Sequence, residues 1–131
     1  FPNIECDWPP SPVIDHMNKC RLFIGTYNAT AYLESLSADF PTILFWNSKY
    51  NELNKIAQPY FKKLVDVGIL YYNPETAAKK VNEISNDPLA WWHQPKIQDA
   101  KNEFCFKFAR TSKNWLKEWK NELLDNVGVN R

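Results

Sequence analysis

Glycine is scarce in this chain. Three glycines in 131 residues supply neither a G-x-G-x-x-G turn nor a Walker loop, since both need several glycines to bring backbone against phosphate. Histidine is scarcer, at two, and no Asp-x-Asp pair occurs. The three cysteines, Cys6, Cys20 and Cys105, are an odd number at unrelated spacings, which argues against a disulfide framework and against a zinc site. They read as reduced thiols of a cytoplasmic protein, and the apolar neighbours of Cys20 and Cys105 predict burial. Charge of one sign is also lacking: 16 Lys+Arg stand against 15 Asp+Glu, so nucleic acid is not expected as a partner. No apolar run approaches the roughly 20 residues that cross a bilayer. Phe1-Pro2-Asn3 has neither the charged start nor the apolar stretch of a signal peptide. It also has no initiating Met, which predicts either a processed start or, as the better fit, a piece excised or truncated from a longer protein.

Apolar and aromatic side chains are abundant. A hydrophobic fraction of 44% with 15% aromatics argues against disorder and suffices for one core. Pro2, Pro9, Pro10 and Pro12 mark residues 1–12 as a proline-rich N-terminal segment. A short helix over Val13–Lys19 leads to a buried strand, Arg21–Gly25. A helix over Ala29–Ala38 follows, then Pro41 and the apolar strand Thr42–Trp46, which has the composition of a parallel strand covered on both faces. Glu52–Val67 reads as a helix kinked or split by Pro59. Gly68 ends it before a third strand, Ile69–Tyr72.

Asn73 then caps a helix with Pro74 in its first turn, burying Ala77, Ala78, Val81 and Ile84. Asp87-Pro88 opens a further segment, and Pro95 opens a helix to Ala109 with Ile97, Phe104 and Phe108 inward. Trp115, Leu116, Trp119 and Leu123 recur at helical spacing in a final amphipathic helix. Alternation of this kind predicts an α/β fold: a small Rossmann-like parallel sheet flanked by helices, with a helical C-terminal extension. A further strand near Ile4-Glu5-Cys6 has room to extend the sheet. Residues 13–87 form the expected core and 88–131 the helices packing on it or on another domain.

Ligands of open parallel sheets bind beyond the carboxyl ends of the strands. There the chain places Gly25-Thr26-Tyr27-Asn28-Ala29-Thr30, a strand-to-helix turn whose helix amides and dipole suit a phosphate. Asn47 follows the next strand. The competing reading has Asn28 or Thr26 simply capping the helix. Glu34, about one turn into that helix, suits a ribose diol, or is an ordinary exposed carboxylate.

The stretch Thr26–Glu34 followed by Pro41–Asn47, with Pro41 seven residues after Glu34, resembles the second-domain signature of GT-B glycosyltransferases. The resemblance implies that Thr26, Asn28 and Thr30 contact a nucleotide diphosphate and that Glu34 contacts ribose. Phe45-Trp46-Asn47, Ala57–Phe61, Gly68-Ile69-Leu70, Pro74–Ala78, Trp91-Trp92 and Phe108–Ser112 extend it over nearly the whole chain. Together they resemble the C-terminal region of longer transferases encoded in bacterial surface-polysaccharide loci. The chain departs from the signature in its sparse glycines, with Gly25 alone in the turn. The resemblance implies a nucleotide-activated sugar or polyol as substrate, no metal or other cofactor, and an N-terminal partner domain supplying acceptor and base.

Trp91 and Trp92 suit either a sugar face or helix packing, and packing is the commoner role. His16 and His93 read as surface or structural residues. Lys113, Lys117 and Lys120 around Trp115 and Trp119 suggest a membrane-seated helix, which Glu118 and Glu122 oppose; packing on another domain fits better. A large exposed apolar patch anywhere on the chain would mark a lost domain or a homo-oligomer surface. Two functions therefore stand at this level: the nucleotide-binding half of a transferase, or a non-catalytic α/β protein-interaction module.

Overall fold

A computed structural model describes residues 11–50 and 53–128. Cys6, the strand expected near Ile4-Glu5-Cys6, most of the proline-rich segment and Glu52 lie outside the described residues. In chain order the elements are α1 (Val13–Met17), β1 (Phe23–Gly25), α2 (Thr30–Ser37), β2 (Thr42–Phe45), α3 (Gln58–Asp66), β3 (Leu70–Tyr71), α4 (Pro74–Ile84), α5 (Pro88–Trp92), α6 (Pro95–Phe108) and α7 (Trp115–Gly128), with a 3-10 turn at Ser48–Tyr50.

The three strands pair in parallel in the order β1-β2-β3. Thus the expected α/β class, a small parallel sheet with flanking helices and a helical C-terminal region, is the observed one. α2 and α3 make the two crossovers, and α6 packs across both, while α4 packs on β2 and β3. A Cβ on Gly25 would meet Leu44 Cδ2 at 2.8 Å and Tyr32 Cβ at 3.7 Å, so this position faces α2 and tolerates no side chain without displacement. Its neighbour Ile24 faces the other way, in register with Ile43. Ile43 is fully buried but Ile24 is 44% exposed, so the second face is closed over the middle strand and open at β1.

Pro59 neither kinks nor splits a long helix. It stands in the first turn of α3, preceded by a turn, where its missing N–H costs no intrahelical bond. Asn73 caps α4 as expected, its Oδ1 accepting from the Thr76 amide at 2.9 Å. Cys20 departs from expectation: it is exposed on the turn after α1, and Cys105 is only half-buried on α6. Burial raises the Cys105 thiol above its ordinary pKa, keeping it neutral.

The core between sheet and α6 is aromatic. Phe61 meets Phe104 edge-on at 5.0 Å, Trp46 meets Phe61 at 6.2 Å, and Tyr32 packs on Trp46 at 5.7 Å. Each such pair adds about 0.5–1.5 kcal/mol to what burial alone provides. Ser35 and Thr42, both fully buried, share a hydroxyl hydrogen bond of 2.8 Å where α2 lies on β2.

α2 and α3 end in the same way. Each is followed by a left-handed residue whose amide bonds back, with the next amide reaching the last turn. After α3 that residue is Gly68, φ +80°, with Gly68 N–H to Val65 and Ile69 N–H to Leu64. After α2 it is Asp39, φ +56°, with Asp39 N–H to Leu36 and Phe40 N–H to Ser35. Glycine takes this conformation without the Cβ clash that other residues meet, so Asp39 must repay a cost.

Its side chain does so. The Asp39 carboxylate accepts from Trp92 Nε1 at 3.0 Å, Gln98 Nε2 at 3.2 Å and Lys101 Nζ at 2.6 Å. Trp92 Nε1 also reaches the Asp39 carbonyl at 3.0 Å. Lys101 lies on the buried face of α6, 6% exposed, a position a lysine occupies only when its charge is matched. Burial pushes the Asp39 carboxyl up, but the bonds from Lys101, Gln98 and Trp92 and the Lys101 charge outweigh it and hold the group below its ordinary pKa.

Asp39→Asn should cost about 1–2 kcal/mol in urea unfolding, less than the roughly 3–5 of a fully buried pair, because half of the Asp39 side chain meets water. Adding Lys101→Met should recover part of that loss, as a double-mutant cycle measures. The pH dependence has a fixed sign. A depressed carboxyl pKa stabilises fully above the unfolded value and is lost as pH falls through the folded one. Wild-type stability should therefore fall below about pH 4 more steeply than that of Asp39→Asn.

Candidate functional site

Parallel neighbours leave a sheet at the same end. With Gly25 opposite Leu44, the turn after β1 and the segment after β2 emerge side by side, forming one rim. The structure thus brings Gly25, Thr26, Tyr27, Asn28, Ala29 and Thr30 to the same edge as Asn47, with Glu34 on the helix that follows. Thr26, Tyr27, Asn28, Thr30, Glu34 and Asn47 are exposed, whereas Gly25 is buried.

The helix start differs from the capping reading. The N-cap of α2 is Ala29, and no side chain caps the helix. Asn28 is otherwise engaged: its Oδ1 accepts from Tyr32 Oη at 3.0 Å. Tyr32 is the third residue of α2 and 5% exposed. Burial raises its hydroxyl pKa to about 12, so it remains a donor at neutral pH. That bond orients Asn28 with its oxygen taken and its amide N–H groups left for another acceptor. The first-turn amides of Thr30, Ala31 and Tyr32 also lack a side-chain acceptor, at the positive end of the helix dipole.

Glu34 carries no hydrogen bond or ion pair on its carboxylate among the described residues, so its oxygens are open. Asn47 folds the turn after β2, its Oδ1 accepting from Lys49 N at 2.9 Å. Lys49, exposed in the 3-10 turn, is a cation at this rim that no sequence motif marked; its only signal was nearness to the end of an apolar strand. Trp46, the last buried residue before the rim, is 4% exposed and its Nε1 has no acceptor among the described residues. Such an unpaired donor costs about 1–3 kcal/mol.

Other sequence candidates fall elsewhere. Trp91 and Trp92 are 6% and 0% exposed, so they pack helices together and present no stacking face. His93 is exposed beyond α5, and His16 bonds Ser11 Oγ near α1. No group of three or more His, Cys, Asp or Glu able to hold a metal occurs among the described residues. No described helix is long and apolar enough to cross a membrane.

A small parallel sheet, its crossover helices and an open rim at the strands' carboxyl ends place the molecule in the Rossmann-like class of α/β proteins. The chain belongs to the LIC12162 family of transferases, whose family model matches residues 1–123. Among curated proteins and among solved structures, nothing matches it.

Because Ala29 leaves the first turn uncapped, Ala29→Asp should stabilise the unliganded chain by about 1 kcal/mol, read as a higher melting temperature. An unchanged or lower value would mean that the turn already satisfies those amides.

Proposed function

We propose that this chain is the nucleotide-binding half of a GT-B-like transferase. Its substrate is a nucleotide-activated sugar or polyol for surface-polysaccharide synthesis. The observation that carries the reading is the uncapped start of α2 at the carboxyl rim of the sheet, inside a family of transferases.

In this reading the diphosphate lies against the amides of Thr30, Ala31 and Tyr32. The Asn28 amide donates from the side, oriented by Tyr32. The Thr26 and Thr30 hydroxyls complete the cradle, and Glu34 accepts from the ribose diol. Tyr27, 65% exposed on the same turn, offers a ring face to the base. As the bond to the transferred group breaks, negative charge grows on the departing diphosphate. Fixed amides and the helix dipole stabilise that charge without reorganising, an electrostatic contribution needing no metal. Lys49 adds a positive charge at the same edge. Acceptor and general base come from an N-terminal partner domain. The exposed apolar face of α7 favours a second reading, a protein-interaction module built on the same scaffold.

Titration of the labelled chain with nucleoside diphosphates, followed by NMR, tests the proposal. Shifts should concentrate between Thr26 and Glu34 and near Asn47. Glu34→Gln should weaken binding about tenfold, roughly 1.4 kcal/mol. Ala29→Asp should abolish binding while raising stability, which separates loss of the site from loss of the fold. No response from the wild-type chain at millimolar nucleotide, or shifts elsewhere, would count against the assignment.

A further inference from the structure

Every residue from 113 to 126 is exposed, so no face of α7 is covered over that span. Trp115, Leu116, Trp119 and Leu123 are between 56% and 66% exposed. A 14-residue helix is marginal in water unless an apolar face is packed. Here one local clamp holds it: Glu118 accepts from Ser112 Oγ and pairs with Arg110.

The order of side chains around α7 says what covers it. At 3.6 residues per turn, the two tryptophans, Leu116 and Leu123 fall within an arc of about 100°. Lys120 and Lys117 follow on one side of that arc, with Leu124 between them. Glu122, Glu118 and Asp125 line the other side. The apolar stripe is therefore bordered by a lysine ridge and a carboxylate ridge, and neither Lys117 nor Lys120 has an ion-pair partner among the described residues. The helix carries two lysines against three carboxylates, with an acidic ridge beside the tryptophans, so an anionic lipid surface gains little from it.

A second α7 laid parallel against the first sets lysine ridge against carboxylate ridge on both sides of the stripe. A two-fold axis along the helices generates that arrangement from one surface, the requirement of an isologous interface. We propose that α7 is a self-association surface, pairing in parallel with α7 of a second copy of this chain. One helix from each copy makes a small contact beside a standard interface of about 1,600 Å², so association is sought up to sub-millimolar concentration.

Sedimentation equilibrium of the chain, from micromolar to sub-millimolar concentration, tests this. The expected mass rises from 15.4 kDa toward twice that value. Trp119→Lys should hold the chain at the monomer mass. Lys117→Glu with Lys120→Glu should do the same, as should Glu122→Lys with Asp125→Lys in a separate chain. Mixing these two charge variants should restore the dimer, since each then offers the ridge the other lacks. All of these substitutions lie on exposed positions, and an unchanged cooperative melt confirms that each variant is folded. A wild-type chain monomeric throughout the range overturns the proposal. So does a dimer indifferent to the ridge charges, or a monomer that co-sediments with phosphatidylserine vesicles.

Discussion

At the end of α2 a carboxylate stands where the backbone prefers glycine, and the placing of the helical cover on the sheet depends on it. Asp39 turns the chain from α2 toward β2 and receives the indole of α5 and two side chains of α6. Gly68 closes α3 by the same backbone bonds but contributes no side chain. The difference shows what Asp39 adds. It satisfies the buried indole N–H of Trp92, and it permits a lysine on the inner face of α6 that would otherwise strand a charge among Ile97, Ala100 and Phe104. The arrangement is local at one end and long-range at the other.

That anchoring also divides the labour within α2. Its C-terminal end is committed to the body of the protein through Asp39, while its middle is pinned by the Ser35–Thr42 bond and the tilted stack of Tyr32 on Trp46. Only the backbone amides of the first turn are left without a side-chain acceptor. A helix of eight residues, about 12 Å long, thus carries a rigid foot and an unfilled mouth. A site for an anion needs that combination, because amides fixed before the ligand arrives lose little on binding it.

Features encoded by neighbours in the chain were legible from sequence. The apolar run at Thr42–Trp46 predicted the central strand, the Asn73-Pro74 pair predicted the start of α4, and the spacing of Ile97 and Phe104 predicted the buried side of α6. Misreadings arose where one residue type serves two ends. Pro59 breaks a helix interior but opens a first turn, and only the position of the start distinguishes them. Asn28 is an ordinary cap by type, yet Tyr32, four residues on, takes its oxygen. Cys20 has apolar neighbours along the chain that do not surround it in space. The role of Asp39 was invisible, because its partners are 53, 59 and 62 positions away. At the rim, the residue types Thr26 to Thr30, Glu34 and Asn47 were legible, whereas the empty cap and the contribution of Lys49 needed coordinates.

Those distances bear on the order in which the chain acquires its structure. Sheet and crossover helices are complete in sequence by Tyr71, but the helix that closes their apolar side begins only at Pro95. Until α6 has left the ribosome, the faces of α2 and α3 that will hold Phe104 stand in water and the Asp39 carboxylate has no cation. Bringing these segments together spends loop-closure entropy before any contact returns it. A nascent chain halted before Pro95 would therefore expose the faces of Tyr32 and Phe61 that Phe104 covers, which makes that interval one in which chaperones have a surface to hold.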